Sequence, residues 1–292
     1  MKDKLILVES VTGFLHNVEV ISKRAKSTKS QEPRFGYWFR GETARHDLPL
    51  TPRAIRDGHL QEADYFHLFR QRAGLYLDSV PQKRWIEDDL NWLILMQHFG
   101  APTRLLDWST NPLIGLFMAV DVEDKDKTEA YVYFLDDCAL TLKVLEPPNK
   151  EPFENVQGLL EVVLASKANN LVSDPQRKQF AVSRGMLKMD AKVRKLLKRG
   201  FPVPFLPDQD FRRIAVQSGC FTIHSAKKSL KWWQSLGVGA FGEMRIAGFS
   251  KHKIRQELRS LGITSETVYT SVDKFVEDLK RRIGITPRVH AR

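Results

Sequence analysis

The sequence contains few cysteines and lacks any long apolar run. Cys138 and Cys220 are the only cysteines among 292 residues, a number that supports neither a disulfide framework nor a cysteine-based zinc site. No stretch approaches the roughly 20 apolar residues of a membrane-spanning helix, and the apolar run near the start is too short for a secretory signal. We therefore expect a cytoplasmic protein without a membrane partner.

Acidic residues are outnumbered by basic ones. The chain has 46 Lys and Arg against 35 Asp and Glu, a formal net charge of +11. The resulting positive field favours polyanionic partners such as nucleic acid, a phosphorylated cofactor or an anionic membrane. The eight histidines are scattered, and no group of His or acidic residues has metal-ligand spacing, so we expect no metal site. A metal-dependent nuclease is accordingly the weakest function class.

The hydrophobic periodicity predicts one globular domain of mixed α and β structure. An N-terminal helix is expected within residues 1–30, on apolar positions spaced along residues 4–25. Further helices are predicted over residues 59–79, 86–97, 112–120, 188–199, 251–261 and 271–282. Strands are predicted over residues 35–39, 103–107, 131–135 and 244–249, and residues 213–224 are predicted as two strands joined at Gly219.

Two dense segments place charge in apolar surroundings. Residues 37–42 read YWFRGE, and residues 97–112 read QHFGAPTRLLDWSTNP. Arg40 follows three aromatic residues, and only two leucines separate Arg104 from Asp107. Charges are costly in a core unless they are paired or face a ligand. These segments are therefore the candidate site, although an ion pair that merely joins strands would explain Arg40 as well.

A basic segment over residues 188–199 is the candidate nucleic-acid interface. The pattern predicts a short helix with an apolar side and a dense positive side. An ordinary solvated helix face is the alternative. The basic residues of this segment are Lys188, Lys192, Arg194, Lys195, Lys198 and Arg199.

The motifs resemble those of the FRG domain family, which is named for Phe-Arg-Gly. Phe39-Arg40-Gly41 matches the name-giving motif, residues 97–108 match the long central motif, and Arg213 with residues 217–221 matches a later one. After the N-terminal helix at 1–30, the resemblance implies an FRG domain, similar to ADP-ribosyltransferases, at 31–292 that includes the C-terminal basic helices. Because FRG proteins are mostly bacterial and often encoded near phage-defence genes, it also implies a defence role.

A second resemblance is to ADP-ribosyltransferases of the Arg, Ser-Thr-Ser, Glu class. It implies an α+β fold with a mixed central β-structure surrounded by helices, and NAD as substrate. The residues implied to bind NAD are Phe39, Arg40, Gly41, Ser109 and Thr110, and those implied to be catalytic are Arg40, Asp107 and Gln217.

Gln217 departs from this class, because an acidic residue is expected at its position. A carboxylate there would stabilise the cationic ribose that develops as nicotinamide leaves, whereas an amide only donates or accepts hydrogen bonds. Asp107, Glu42 or Glu243 would have to supply the charge. Gln217 is expected either to face the ligand or to bond to the backbone, and Ser109 and Thr110 either to bind NAD or to cap a helix.

These features predict a toxin-like, NAD-dependent ADP-ribosyltransferase that modifies nucleic acid, RNA rather than DNA. Its setting would be anti-phage defence or a toxin–antitoxin system, with a neutralising antitoxin protein as partner. The alternative is a non-catalytic module that uses the same cleft to bind a nucleotide or nucleic acid.

Overall fold

The computed structural model describes residues 6–27, 36–57, 62–75, 89–122, 127–137, 139–140, 143, 202–207, 212–224, 226–237, 239–270 and 275–276. The strands are β1 (Ile6–Val8), β2 (Tyr37–Glu42), β3 (Leu105–Ser109), β4 (Ala130–Asp136), β5 (Val203–Phe205), β6 (Gly219–Ile223) and β7 (Phe241–Ile246). The α-helices are α1 (Val11–Ser27), α2 (Arg53–Arg56), α3 (Glu62–Arg72), α4 (Asp89–His98), α5 (Pro112–Val120), α6 (Arg212–Val216), α7 (Leu230–Gln234), α8 (Lys251–Ser260) and α9 (Ser265–Tyr269). This confirms the expected mixture of α and β structure.

The strands form a seven-stranded mixed sheet in the order β1-β7-β4-β2-β3-β6-β5. Its two sides are joined weakly at the centre. β2 and β4 are in register over six residue pairs and β3 and β6 over five, whereas β2 and β3 share the single pair Phe39 and Ser109. The sheet therefore consists of two halves, β1-β7-β4-β2 and β3-β6-β5, that meet at the two candidate segments.

Helix α5 fixes the position of β2. Asn111 caps the helix by accepting a hydrogen bond from the Leu113 N–H (3.0 Å), and Pro112 occupies the first turn, where its missing N–H is tolerated. A Cβ on Gly41 would overlap the Gly115 carbonyl oxygen and the Ala119 nitrogen of α5. The glycine of the motif thus permits direct contact between strand and helix backbones.

Hydrophobic side chains cover both faces of the sheet. One cluster packs α1, α5 and α8 against one face of β2, β4 and β7; it contains Phe14, Phe39, Leu116, Val132, Phe134, Met244 and Ile254. The other cluster includes alternate residues of the same strands, with α4 and α7; it contains Trp38, Leu93, Trp108, Tyr133, Leu135, Trp233 and Phe241. This alternation is the period-two pattern of strands buried on both faces.

Several sequence-based predictions of elements need correction. The N-terminal helix begins at Val11 rather than near residue 4, because Ile6–Val8 pairs in parallel with β7 as a strand. Residues 212–216 are a helix instead of a strand, and Ser218 in the left-handed region (φ 47°) turns the chain into β6. β2 continues past Arg40 to Glu42, and β7 occupies Phe241–Ile246, earlier than residues 244–249.

Other elements lie wholly or partly outside the described residues. Of the predicted helix over residues 271–282, the structure describes residues 275–276 as helical. The predicted basic helix over residues 188–199 lies entirely outside. In the described part of the chain, no helix combines the length and apolarity needed to cross a membrane.

Candidate functional site

Arg40 lies where the two halves of the sheet meet. Phe39 and Gly41 face α5, so Arg40, between them, points to the opposite face of β2. Its Nη1 donates a hydrogen bond to the Asp107 main-chain carbonyl on β3 (2.9 Å), and its Nε donates to Glu42 Oε1 (3.3 Å). The Arg40 side chain keeps 19% of its surface exposed. It therefore bridges the junction while remaining accessible.

Two cross-strand rows extend from Arg40 along the same face. Arg40 is opposite Tyr133 on β4, which is opposite Glu243 on β7; one step along, Glu42 is opposite Tyr131. Side chains directly opposite on neighbouring strands are close enough to interact. Together with Arg45, these side chains form what we call the polar cluster: Arg40, Glu42, Arg45, Tyr131, Tyr133 and Glu243.

Arg45 covers one end of the polar cluster. Its Nη2 donates to Glu243 Oε1 (2.8 Å), and its guanidinium carbon lies 4.0 Å from the centre of the Tyr131 ring. This is a cation–π contact combined with an ion pair. The Tyr131 hydroxyl donates to Glu129 Oε2 (2.8 Å). The Arg45 and Glu243 side chains are 36% and 14% exposed, so this end of the cluster borders solvent.

Three buried polar atoms of the cluster have no hydrogen-bond partner within the described part of the chain. They are the Tyr133 hydroxyl, Glu42 Oε2 and Glu243 Oε2. Burial raises the pKa of Tyr133, and the charges of Glu42 and Glu243 raise it further, so the phenol is neutral and able to donate at pH 7. Native proteins satisfy nearly all buried polar groups with protein, water or ligand partners, so these three atoms are positions where a bound molecule would find hydrogen bonds.

The Asp107 carboxylate is held by the motif's own glutamine. Gln97 Nε2 donates to Asp107 Oδ2 (3.0 Å), and the Gln97 carbonyl accepts from the Thr103 hydroxyl. Arg40 contacts the Asp107 main chain rather than its carboxylate. The two dense segments therefore meet through the Arg40 side chain and the Asp107 main-chain carbonyl.

Ser109, Thr110 and Gln217 hold a turn together. The buried Ser109 hydroxyl donates to the Gln217 main-chain carbonyl (2.6 Å), and the Thr110 N–H donates to the Ser218 carbonyl (3.0 Å). The Gln217 amide donates to the Val268 carbonyl of α9 (3.2 Å). These contacts place the three side chains beside backbone groups of the turn before β6 and of α9, whereas the polar cluster lies on β2, β4 and β7.

The structure thus brings only some of the predicted site residues together. Arg40 and Asp107 touch, and so do Ser109 and Gln217. Phe39 packs edge-on against Phe14 of α1, and Gly41 against α5. The predicted nucleic-acid residues Lys188, Lys192, Arg194, Lys195, Lys198 and Arg199 lie outside the described part of the chain.

Sequence reasoning missed Arg45, Tyr133 and a buried histidine. His224 Nε2 lies 2.9 Å from the Thr222 hydroxyl, which accepts from Trp108 Nε1 (3.0 Å). Burial lowers the pKa of His224 to about 3, and the positive charge of Arg40 contributes in the same direction. The sequence signal that could have identified Tyr133 is the spacing Tyr131-x-Tyr133, because polar or phenolic residues at every second strand position lie on the same face of the sheet.

No metal site accompanies these groups in the described part of the chain, where no set of three or more His, Cys, Asp or Glu is arranged to hold an ion. Residues 36–128 match the model of the FRG domain family, so the FRG resemblance is confirmed over this segment. It contains both dense segments, whereas Gln217 and Glu243 lie beyond it. No curated protein and no solved structure matches the chain.

Proposed function

We propose that this protein, which carries an FRG domain, is an NAD-dependent ADP-ribosyltransferase of the corresponding fold type. The proposal includes nucleic acid as acceptor, RNA rather than DNA, and a toxin-like role in defence with a neutralising antitoxin protein. The observation that carries the proposal is the position of Arg40. It is accessible, lies at the junction of the two half-sheets, and has beside it a carboxylate oxygen, Glu42 Oε2, with no hydrogen-bond partner among the described residues.

Arg40 suits the binding of the dinucleotide phosphates. A guanidinium carries five N–H groups, and Arg40 uses two of them in its contacts with Glu42 and Asp107. The remaining donors suit phosphate oxygens, which arginine recognises through its planar fork. The contacts within the protein fix the orientation of the guanidinium before any ligand arrives, which lowers the entropy lost on binding.

The chemistry requires negative charge near the reacting ribose. The bond between the nicotinamide nitrogen and ribose C1′ breaks, its electron pair leaves with nicotinamide, and positive charge develops on the ribose. Glu42 and Glu243 supply carboxylates on the same sheet face as Arg40, in place of the acidic residue that Gln217 replaces. The acceptor then bonds to C1′ and loses a proton, for which the Asp107 carboxylate, held by Gln97 Nε2, is the proposed base.

The choice of a nucleic-acid acceptor rests on charge. A net charge of +11 attracts polyanions over distances of about a Debye length, roughly 8 Å at physiological salt. Binding that depends on this field should weaken steeply with salt, because neutralising phosphates releases counterions. Transfer to RNA is therefore expected to fall between 50 and 200 mM salt.

A second candidate is a non-catalytic module that binds a nucleotide at Arg40. One observation favours it: Ser109 and Gln217, the residues implied to act in the second and third transferase motifs, both bond to main-chain carbonyls. Side chains engaged in this way support the fold and leave fewer groups for chemistry. This candidate predicts binding of NAD without release of nicotinamide.

Incubation of the full chain with labelled NAD and total RNA or DNA separates the two candidates. We expect label on RNA and release of nicotinamide, both reduced about 100-fold by Arg40→Lys, since a lost charge-stabilising donor typically costs that much. Arg53→Lys is the matched control, because Arg53 forms an exposed pair with Asp57. NAD binding without nicotinamide release supports the binding module, and absence of both binding and release refutes both candidates.

A further inference from the structure

The unpartnered atoms of the polar cluster describe the ligand they would accept. Glu42 Oε2 and Glu243 Oε2 are acceptors, and the Tyr133 hydroxyl both donates and accepts. Among the described residues, Arg40 has N–H groups beyond those that bond Glu42 and Asp107, and Arg45 adds a second guanidinium at the solvent border. A complementary ligand must bring hydroxyl groups to the carboxylates and negative charge to the guanidiniums. A sugar phosphate has both.

We propose that the polar cluster binds a ribose together with its adjoining phosphate, with Glu42 and Glu243 accepting from ribose hydroxyls, Tyr133 hydrogen-bonding the sugar, and Arg40 and Arg45 holding the phosphate. The inference rests on the proposed function, which identifies the sugar as the ribose that carries nicotinamide in NAD. It adds Tyr133 and Arg45 to the site and gives Glu243 a contact with the sugar; none of the three belongs to the Phe-Arg-Gly or central motifs.

The position of Tyr133 supports this assignment. Tyr133 lies between Arg40 and Glu243 in one cross-strand row, so a group that bonds its hydroxyl is in reach of both neighbours. Its ring stacks on Phe241, with centroids 6.2 Å apart, which fixes the direction of the hydroxyl. Burial and the nearby carboxylates raise the pKa of Tyr133, which keeps it a neutral donor.

Arg45 regulates access to Glu243. Its ion pair with Glu243 is partly exposed, and such pairs contribute little to stability. A phosphate therefore competes well with Glu243 for the Arg45 guanidinium. When the guanidinium binds the phosphate instead, the Glu243 carboxylate can accept hydrogen bonds from the sugar. Before a ligand binds, each of the two carboxylates near the Tyr133 phenol is paired with an arginine through one oxygen. Glu42 accepts from Arg40 and Glu243 accepts from Arg45, which offsets the repulsion between the two negative charges.

Calorimetric binding of ADP-ribose and ADP to the full chain tests the inference without any turnover. ADP already carries both phosphates and ADP-ribose adds only the terminal ribose, so the ratio of their affinities reports recognition of that sugar. We expect ADP-ribose to bind at least tenfold more tightly than ADP. Tyr133→Phe and Glu243→Gln should each reduce this ratio about tenfold while ADP affinity stays similar, as expected for a lost hydrogen bond to the ligand.

Tyr37→Phe is the matched control, because Tyr37 faces the other side of β2, away from the cluster, and should keep the wild-type ratio. Equal affinities for the two ligands, no binding of either, or a preference that survives both cluster variants would overturn the inference. NAD consumption measured in parallel separates the two proposals. Consumption without the preference refutes the ribose site alone, whereas the preference without consumption refutes the transferase alone.

Discussion

The Tyr133 hydroxyl gives a test of stability that is independent of any ligand. Tyr133 is fully buried, and its hydroxyl has no hydrogen-bond partner within the described residues. A buried polar group without a partner costs about 1–3 kcal/mol in lost solvation. Tyr133→Phe removes the hydroxyl and keeps the ring that stacks on Phe241. We therefore expect the free energy of unfolding to increase by about 1–3 kcal/mol while affinity for ADP-ribose falls.

The matched substitution is Tyr37→Phe on the neighbouring strand. The Tyr37 hydroxyl donates to the Gly239 carbonyl (2.7 Å), so its removal should lower the free energy of unfolding by about 1 kcal/mol. The two variants therefore shift the urea midpoint and the melting temperature in opposite directions, by roughly 2–4 °C per kcal/mol for a chain of this size. If Tyr133→Phe destabilises the protein as Tyr37→Phe does, the hydroxyl is bonded in the native state and the argument for a ligand at the cluster fails.

Three further variants test other parts of the site. Burial lowers the pKa of His224 to about 3 from the ordinary value of 6.5, so between these pH values the folded state binds fewer protons than the unfolded state. The free energy of unfolding therefore falls as the pH drops through this window. His224→Gln should move the midpoint of acid unfolding, followed by circular dichroism, to lower pH. Gly41→Ala should lower the free energy of unfolding in urea by about 3 kcal/mol or more through overlap with α5, whereas Gly74→Ala, with open space around it, should change it little. Gln217→Glu removes the donor to the Val268 carbonyl and should lower the free energy of unfolding by about 1–3 kcal/mol. NAD consumption should not increase. A gain in NAD consumption would place the missing carboxylate at position 217 instead of in the polar cluster.

Strong local signals made much of the fold predictable. Asn111-Pro112 predicted the start of α5 because the first turn of a helix tolerates proline, although the capping side chain is Asn111 rather than Ser109 or Thr110. The helix that ends at His98 was predicted from the following Gly100, which adopts a positive φ of 79°. Short apolar runs were the failures. Residues 213–216 are compatible with either strand or helix, and the tight contact of Gly219 with Ile214, which sequence does not reveal, accompanies the helical turn.

The site was predictable only where its residues lie within a motif. Arg40 and Asp107 were identified because charges in apolar segments need an explanation, and their contact is present. The role of Arg45 and Tyr133 and the grouping of Glu243 with them were not identified, because this grouping depends on register. Glu243 becomes a neighbour of Tyr133 only when β4 and β7 pair with a specific alignment, and a shift of one residue would turn it to the other face. No pattern within either strand contains that information.

The Phe-Arg-Gly motif is best understood as a strand that performs two tasks on its two faces. Phe39 and Gly41 contact α5 closely, and α5 begins immediately after β3, the strand that accepts the hydrogen bond of Arg40. The helix therefore fixes β2 relative to β3, and with it the distance that the Arg40 side chain must span. A substitution at Phe39 or Gly41 would therefore displace the Arg40 guanidinium indirectly, by changing the contact between β2 and α5. The aromatic residue and the glycine thus position the arginine, which is the residue that contacts the ligand in the proposed function.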